Sequence, residues 1–377
     1  MMSFSYYEFF AGAGMVRQGL GPDWTCLFAN DFDAKKCASY QQNWGGGELR
    51  LEDVNKLTAE VLPGQAHLAW ASFPCQDLSL AGRRAGLQGG QSSAFWGFHR
   101  LMGDLVAGGR APNLLALENV PGLLSSHGGA DFTALCDAVV GLGYHIGAMM
   151  INASKFVPQS RQRLFIVAVK NPPMAMVSDR PMAWCSPTVL TSAVEHLPAG
   201  VKDKWVWWRL PEPHGVVDPF SALVEDFPAS VSWHQQGETH ALLAMMNKTH
   251  LSKVAEAMNS GKRMVGTIYK RTRVENGAKV QRAEVRFDDV AGCLRTPGGG
   301  SSRQTIMVVD GQLVRSRLIS SRETARLMGM PDSYNLPDNY TEAYHLTGDG
   351  VCVPVVRYLA EHIFEAIKVT PPLMEVQ

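Results

Sequence analysis

Six short apolar runs, spaced through the first 170 residues by longer mixed stretches, constrain the fold more than any other feature of this chain. They are SYYEFF (5–10), CLFAN (26–30), HLAWASF (67–73), NLLALEN (113–119), HIGAMMI (145–151) and RLFIVAV (163–169). Two of the intervening stretches, FWGFHRLMGDLVAG (95–108) and ADFTALCDAVVGLG (130–143), read as helices. Apolar strands joined by helical crossovers build an α/β fold, a mainly parallel sheet with helices on both faces. In such sheets, ligands and reacting groups collect beyond the carboxyl ends of the strands.

Residues 1–170 are therefore expected to form a catalytic and cofactor-binding domain. After Lys170 the texture changes: residues 171–230 hold many prolines and a cluster of Trp205, Trp207 and Trp208. From Asn247 to Arg303 there are 12 Lys/Arg against 5 Asp/Glu, an excess of 12 − 5 = +7 in a chain with 35 of each. Residues 171–319 are expected to form a smaller, mostly β or irregular domain. Ser320 and Glu323 are spaced as a capping box for a helix that stops before Pro331. Residues 320–377 are expected to form a C-terminal segment whose last helix, from Pro354 to about Ile367, returns to the first domain.

Hydrophobic residues at 46% and charged residues at 19% exclude wholesale disorder. A net charge of zero excludes a uniformly basic coat but permits a local basic face. No apolar run approaches the ~20 residues that cross a bilayer, and MMSFSYYEFF lacks the charged start of a secretory leader, so a cytoplasmic enzyme is expected. The seven cysteines are scattered, the closest pair 37 − 26 = 11 residues apart. No CxxC pair exists, and neither a metal site nor a disulfide framework is expected.

Four pieces carry chemistry. In FFAGAGM (9–15), Gly12 and Gly14 allow a tight turn and close approach of backbone to a ligand. Arg17 stands where a dinucleotide fingerprint needs its third glycine, which argues against a pyrophosphate. Asp31 ends the second strand, where a carboxylate suits ribose hydroxyls; Phe32 could lie against an adenine and Asp53 accept from its amino group. An adenosine-containing ligand without a diphosphate fits these parts, which points to S-adenosylmethionine. In SFPCQDLSLAG (72–82), Cys75 alone among the cysteines follows a strand end, and a basic pair, Arg83 and Arg84, follows it among four glycines. Such a stretch suits a lid that meets phosphates. In LALENVPGLL (115–124), Glu118 sits on an apolar strand, where a desolvated carboxyl can donate as well as accept hydrogen bonds. In PQSRQRLF (158–165), Arg161 and Arg163 precede another apolar strand and could bind a base carbonyl, a phosphate or nearby carboxylates. Each feature alone has a plain structural reading; four in this order do not.

FAGAG, PCQ, ENV, QxRxR, RETARLMGMPDSY and a late GxxVxVPV segment resemble the DNA (cytosine-5)-methyltransferase family, prokaryotic restriction–modification type, over residues 5–368. The resemblance implies an S-adenosylmethionine-dependent methyltransferase fold with a target-recognition domain. It places the attacking thiol on Cys75, a ring-engaging carboxyl on Glu118 and assisting guanidiniums on Arg161 and Arg163. Cofactor contacts would fall on Phe10, Ala11, Gly12, Gly14, Asp31, Phe32, Asp53, Val54 and Pro74. DNA contacts are expected from Gln76, Ser79, Arg83, Arg84, Lys270, Arg271 and Arg273. The implied partner is double-stranded DNA, read at a specific sequence by a nucleoid-associated monomer that shares its site with a cognate restriction endonuclease. Two departures stand out: Gly348-Asp349-Gly350-Val351 replaces the usual Gly-Asn-Ala/Ser-Val, and Ala81 stands where serine is common. The rival readings are a tRNA cytosine-C5 methyltransferase, whose Cys-Phe-Thr tripeptide is missing between 171 and 290, and a catalytically inactive DNA-binding module.

Overall fold

The computed structural model describes residues 4–73, 94–275, 277–296 and 303–367. Each of the six apolar runs becomes a strand of one sheet: β1 (Phe4–Phe9), β2 (Trp24–Asp31), β4 (Leu68–Ala71), β5 (Leu114–Asn119), β6 (His145–Asn152) and β8 (Gln162–Val169). A short β3 (Leu49–Leu51) completes the order β3-β2-β1-β4-β5-β8-β6. All pairings are parallel except those of β8, which runs antiparallel to β5 and β6. The central strands β4 and β5 are buried at every position, as a sheet covered on both faces requires. Strand order reverses at β1, whose neighbours are β2 and β4, so the ligand crevice belongs beyond the ends of β1 and β4.

Helix Ala94–Ala107 turns Phe95, Phe98, Leu101, Met102 and Leu105 into one core with Phe9 and Phe28. Burying each such side chain is worth roughly 1.5–3 kcal/mol. On another side of the unit, helix Val353–Leu359, continued by a π turn at Ala360–Phe364, packs on helix Met15–Leu20. Gly19 makes that approach possible, since a Cβ there would lie 2.5 Å from Val356 Cβ.

Contacts divide the chain into two units: residues 1–152, 162–213 and 353–377 form the first, 153–161 and 214–352 the second. The expected boundary at residue 170 is thus displaced. Residues 171–213 fold with the first unit, where strands β9 (Val177–Ser178) and β10 (Trp207–Trp208) pair beside β6. Gly147 of β6 admits them, because a Cβ there would meet the Val206 carbonyl at 2.2 Å. Of the 320–377 segment, residues 320–352 group with the second unit and residues 353–377, which hold the last helix, with the first.

In the second unit, β11 (Met264–Glu275), β12 (Ala278–Arg286), β14 (Thr305–Asp310) and β15 (Leu313–Leu318) form an antiparallel sheet in the order β12-β11-β14-β15. Helices Gln236–Ala244 and Lys248–Asn259 contribute Leu242, Val254 and Ala257 to a core with Ile268, Ala283 and Val285. The pairing lengths are unequal. β14 covers β11 only from Met264 to Ile268, whereas β12 follows it from Thr267 to Glu275. Among the described residues, the sheet narrows beyond Ile268 to a two-stranded ribbon. Two short strands, β7 (Gln159–Ser160) and β13 (Ala291–Gly292), pair in parallel elsewhere in this unit. The predicted capping box forms: Ser320 Oγ accepts from the Glu323 amide at 3.1 Å and Glu323 accepts from the Ser320 amide at 2.7 Å. Glu323 also meets Arg317 at 2.6 Å in an ion pair sealed from solvent.

Candidate active site

The carboxyl edge of the main sheet assembles the first group of residues. Phe10 leaves β1 with φ 58°, Gly12 follows at φ 54° and Gly14 at φ 72°. That turn brings the Gly12 amide to Asp31 Oδ2, to which it donates at 2.8 Å, while the Asp33 amide donates to Oδ1 at 2.9 Å. Burial raises the Asp31 pKa, and the two amides oppose the shift by favouring the charged form. A carboxylate offers about four lone-pair sites, so Asp31 can still accept from a ligand's hydroxyls. A Cβ on Gly12 would touch nothing among the described residues within 4 Å, which leaves open space beside that carboxylate. Phe32, next in the chain, is 69% exposed and offers an apolar ring face. Asp53 caps the turn Val54–Lys56 by accepting from the Asn55 amide at 2.9 Å. An acceptor pair, an open glycine turn and an exposed aromatic ring fit an adenosine moiety.

Not every cofactor candidate is free to serve by its side chain. Val54 is buried in the core, so only its backbone could face a ligand. Gly14 lies against the Trp44 indole, where a Cβ would sit 2.5 Å from Nε1. Its need for glycine is explained by packing on helix Ala34–Trp44. Ala11 is buried, its amide donating to the Asn30 carbonyl at 2.9 Å.

The second group stands on β5 and β8. Because β8 runs antiparallel, its first residues reach the edge where β5 ends. Glu118, 7% exposed, there meets Arg163, with Nε to Oε1 at 3.1 Å. The sequence left open whether these arginines bind substrate or pair with Glu118; Arg163 does the latter. Sequence reasoning gave Asn119 no role, yet it is buried and its Nδ2 donates to the Phe73 carbonyl at 3.0 Å. Its Oδ1 accepts from the Val120 amide at 2.8 Å, so the side chain is fixed at both ends. Asn119 thereby anchors the chain leaving β4 two residues before Cys75. A buried amide at a strand end was the available signal.

Arg161 belongs to the second unit. Its guanidinium, in a residue 2% exposed, donates to the carbonyls of Leu294 at 3.0 Å, Gly348 at 3.0 Å and Gly350 at 2.7 Å. Asp349, the unusual residue of the late segment, lies between those two glycines and accepts from the Thr296 hydroxyl. Arg161 is thus a clasp on backbone in that unit.

Pro74, Cys75, Gln76, Ser79, Ala81, Arg83 and Arg84 lie outside the described residues. Lys270, Arg271 and Arg273 all lie on β11, but strand alternation divides them. Arg271 and Arg273 share one face and both meet Glu284, at 3.4 Å from Arg271 Nε and 2.8 Å from Arg273 Nε. Lys270 points to the other face. Four of the basic residues of this stretch are thus paired within it, since Arg282 also pairs with Glu275 at 2.8 Å and Arg286 with Asp288 at 2.7 Å, and these acids are already counted in the +7 excess.

This sheet order, with the Asp31 carboxylate beside a glycine turn at one strand end and a Glu–Arg pair further along the same edge, is that of an S-adenosylmethionine-dependent methyltransferase fold. Comparison with known proteins agrees. The C-5 cytosine-specific DNA methylase family matches residues 4–365. The chain is 24% identical over 368 residues to the type II methyltransferase M.NlaX of Neisseria lactamica, covering 97% of each. It is 24% identical over 372 residues to M.HhaI of Haemophilus parahaemolyticus, covering 97% of this chain and 96% of that one. Among solved structures, the S. pombe Dnmt2 methyltransferase superposes with a TM-score of 0.58 at 16% identity, over 97% of this chain and 99% of that chain. The chain belongs to the C-5 cytosine-specific DNA methylase family and is a DNA (cytosine-5-)-methyltransferase. The family's methyl donor is S-adenosylmethionine. Among the described residues no helix is long and apolar enough to cross a membrane.

Proposed function

We propose that this protein methylates C5 of cytosine within a specific duplex DNA sequence, on a base flipped out of the helix, as the modifying half of a type II restriction–modification system. The observation that carries the reading is the Glu118–Arg163 pair at 3.1 Å, on the sheet edge that also holds Asp31 and Gly12. Cytosine C5 is a weak nucleophile, so the ring must be activated. In this mechanism the Cys75 thiolate adds to C6, moving an electron pair toward C5. Glu118 hydrogen-bonds at N3 and the exocyclic amine, favouring the charge that develops there. Arg163 holds Glu118 in register and faces the O2 side of the ring. Bound S-adenosylmethionine supplies an electrophilic methyl group; Asp31 would hold its ribose, with Phe32 and Asp53 toward its adenine. Once C5 carries the methyl group, its proton leaves and the thiolate is expelled, restoring aromaticity. A cytosine stacked in a duplex cannot be reached this way, hence the flipping. Asn119 acts as a positioning residue for the Cys75 segment, and Arg161 as one for the backbone around Asp349. The recognition role falls to the second unit, which carries the basic stretch. Function as a monomer alongside a cognate endonuclease completes the proposal.

The experiment is methyl transfer from labelled cofactor to duplex DNA and to tRNA in parallel. Label in DNA cytosine supports the reading. Label in tRNA alone replaces it with the RNA alternative, and label in neither leaves a DNA-binding protein without activity.

The cofactor site has its own test. Asp31→Ala should raise the KM for S-adenosylmethionine roughly ten- to a hundredfold, from the ~1.5–3 kcal/mol of hydrogen bonds to a charged group. The ribose contact is made equally in ground and transition states, so kcat should hold. Steady-state kinetics with varied cofactor decide it; a fall in kcat at constant KM removes Asp31 from the ribose.

A further inference from the structure

We propose that the β11–β12 ribbon enters the major groove of the target DNA and reads bases with the face that carries Thr272, Val274 and Gln281. The inference rests on the DNA-methylating function above and specifies which residues confer its sequence preference.

Three observations carry it. The ribbon stands alone: from Tyr269 onward no third strand pairs with β11 among the described residues, and residues 271–274, 277–279 and 281 are all exposed. Beyond the covered part of the sheet the ribbon has no core of its own, so the side chains on both its faces are open to a partner. Its size also fits. Two strands ~4.8 Å apart with their side chains match a major groove ~12 Å wide, which admits a two-stranded β-ribbon.

The two faces differ in a way that selects one of them. Register pairs Tyr269 with Glu284, Arg271 with Arg282 and Arg273 with Val280 on the first face. There Arg271 and Arg273 converge on Glu284 while Arg282 holds Glu275, so hydrogen-bonding capacity is consumed internally. The second face pairs Lys270 with Ala283, Thr272 with Gln281 and Val274 with Lys279. Among the described residues, the side chains of Thr272, Gln281 and Lys279 make no hydrogen bond or ion pair, and Val274 is 71% exposed. At its base this face joins the core through Ile268, Ala283 and Val285, which fixes the ribbon's root. It therefore presents an amide, a hydroxyl and two methyl-bearing side chains between two lysines. Gln is suited to the N6/N7 edge of adenine, and Thr and Val to the methyl of thymine, while lysines suit the flanking phosphates. The opposite face carries three guanidiniums held by two carboxylates.

The test uses the full-length protein and a duplex library with random bases around cytosine, scored by sequencing for 5-methylcytosine. Thr272→Ala/Gln281→Ala should flatten the preference at one or two flanking positions by roughly tenfold or more, with unchanged cofactor affinity. Arg271→Gln/Arg273→Gln, on the face turned away from the bases, should keep the preference. If the alanine variant loses cofactor binding, Thr272→Val/Gln281→Met, which suits an exposed strand, takes its place. An unaltered preference in either the alanine or the isosteric variant overturns the inference, as does a preference that follows the arginines. A wild-type protein that leaves the whole library unmethylated counts against the function itself, so the two failures are distinguishable.

Discussion

Cys75→Ser should abolish methyl transfer to DNA, by at least ~10³-fold, as expected when a covalent nucleophile is removed, while binding of DNA and cofactor persists. A hydroxyl at that position is far less acidic than a thiol, whose ordinary pKa of ~8.5 already yields a few per cent of thiolate at neutral pH. The chain enters this segment from Phe73, a buried ring tilted against Phe95, with its carbonyl held by Asn119. DNA carrying 5-fluorocytosine at the target cannot lose a proton from C5, so the adduct should be trapped. Peptide mapping should find it on Cys75; an adduct on any of the other six cysteines would refute the mechanism.

The second large effect is on stability. Glu8 is the penultimate residue of β1, fully buried, one strand from Asp31. Desolvation pushes its pKa up to about 8; Arg17 works against the shift, and the carboxylates of Asp31 and Glu48 add to it. Arg17 is itself engaged by Glu48 and by the Tyr40 hydroxyl, to which it donates at 2.9 Å. The direction of the pH effect follows. A carboxyl whose pKa is raised by folding gives its full stability below the unfolded value of ~4.5, and loses it as pH climbs through the folded value. Wild-type protein should therefore lose stability steadily between pH 4.5 and about 8 relative to Glu8→Gln, which cannot ionise. The two proteins should unfold at similar temperatures near pH 4.5. By about pH 8 the variant should be more stable, by up to several kcal/mol at ~1.4 per pKa unit. Thermal unfolding across this range reads the difference; parallel curves would mean that Glu8 is charged in the fold.

The sheet was legible because burial on both faces writes itself as unbroken apolar runs, and β5 follows NLLALEN almost residue for residue. The capping box was legible for a similar reason, since it depends on two residues three apart. The strand-end positions of Asp31 and Glu118 were legible because α/β topology dictates where strand ends go. Other features depend on partners distant in sequence. That 171–213 joins the first unit rests on Trp208 and Val206 meeting a glycine about 60 residues earlier, a fit that no local pattern encodes. Likewise the basic stretch looked like one cationic surface. Register was needed to show Arg271 and Arg273 bound to Glu284, with Lys270 on the reverse side. Arg161 and Arg163 stand two residues apart in a shared motif, yet one holds Glu118 and the other three carbonyls of the second unit.

Helix Val353–Leu359 covers Gly19, yet more than three hundred residues separate them in the chain. A ribosome making this protein must therefore release the whole second unit before that cover can dock. Until then the nascent sheet keeps one apolar flank open, a surface suited to a chaperone. Synthesis that stalls or terminates before residue 353 should yield an aggregation-prone product in place of a working cofactor unit.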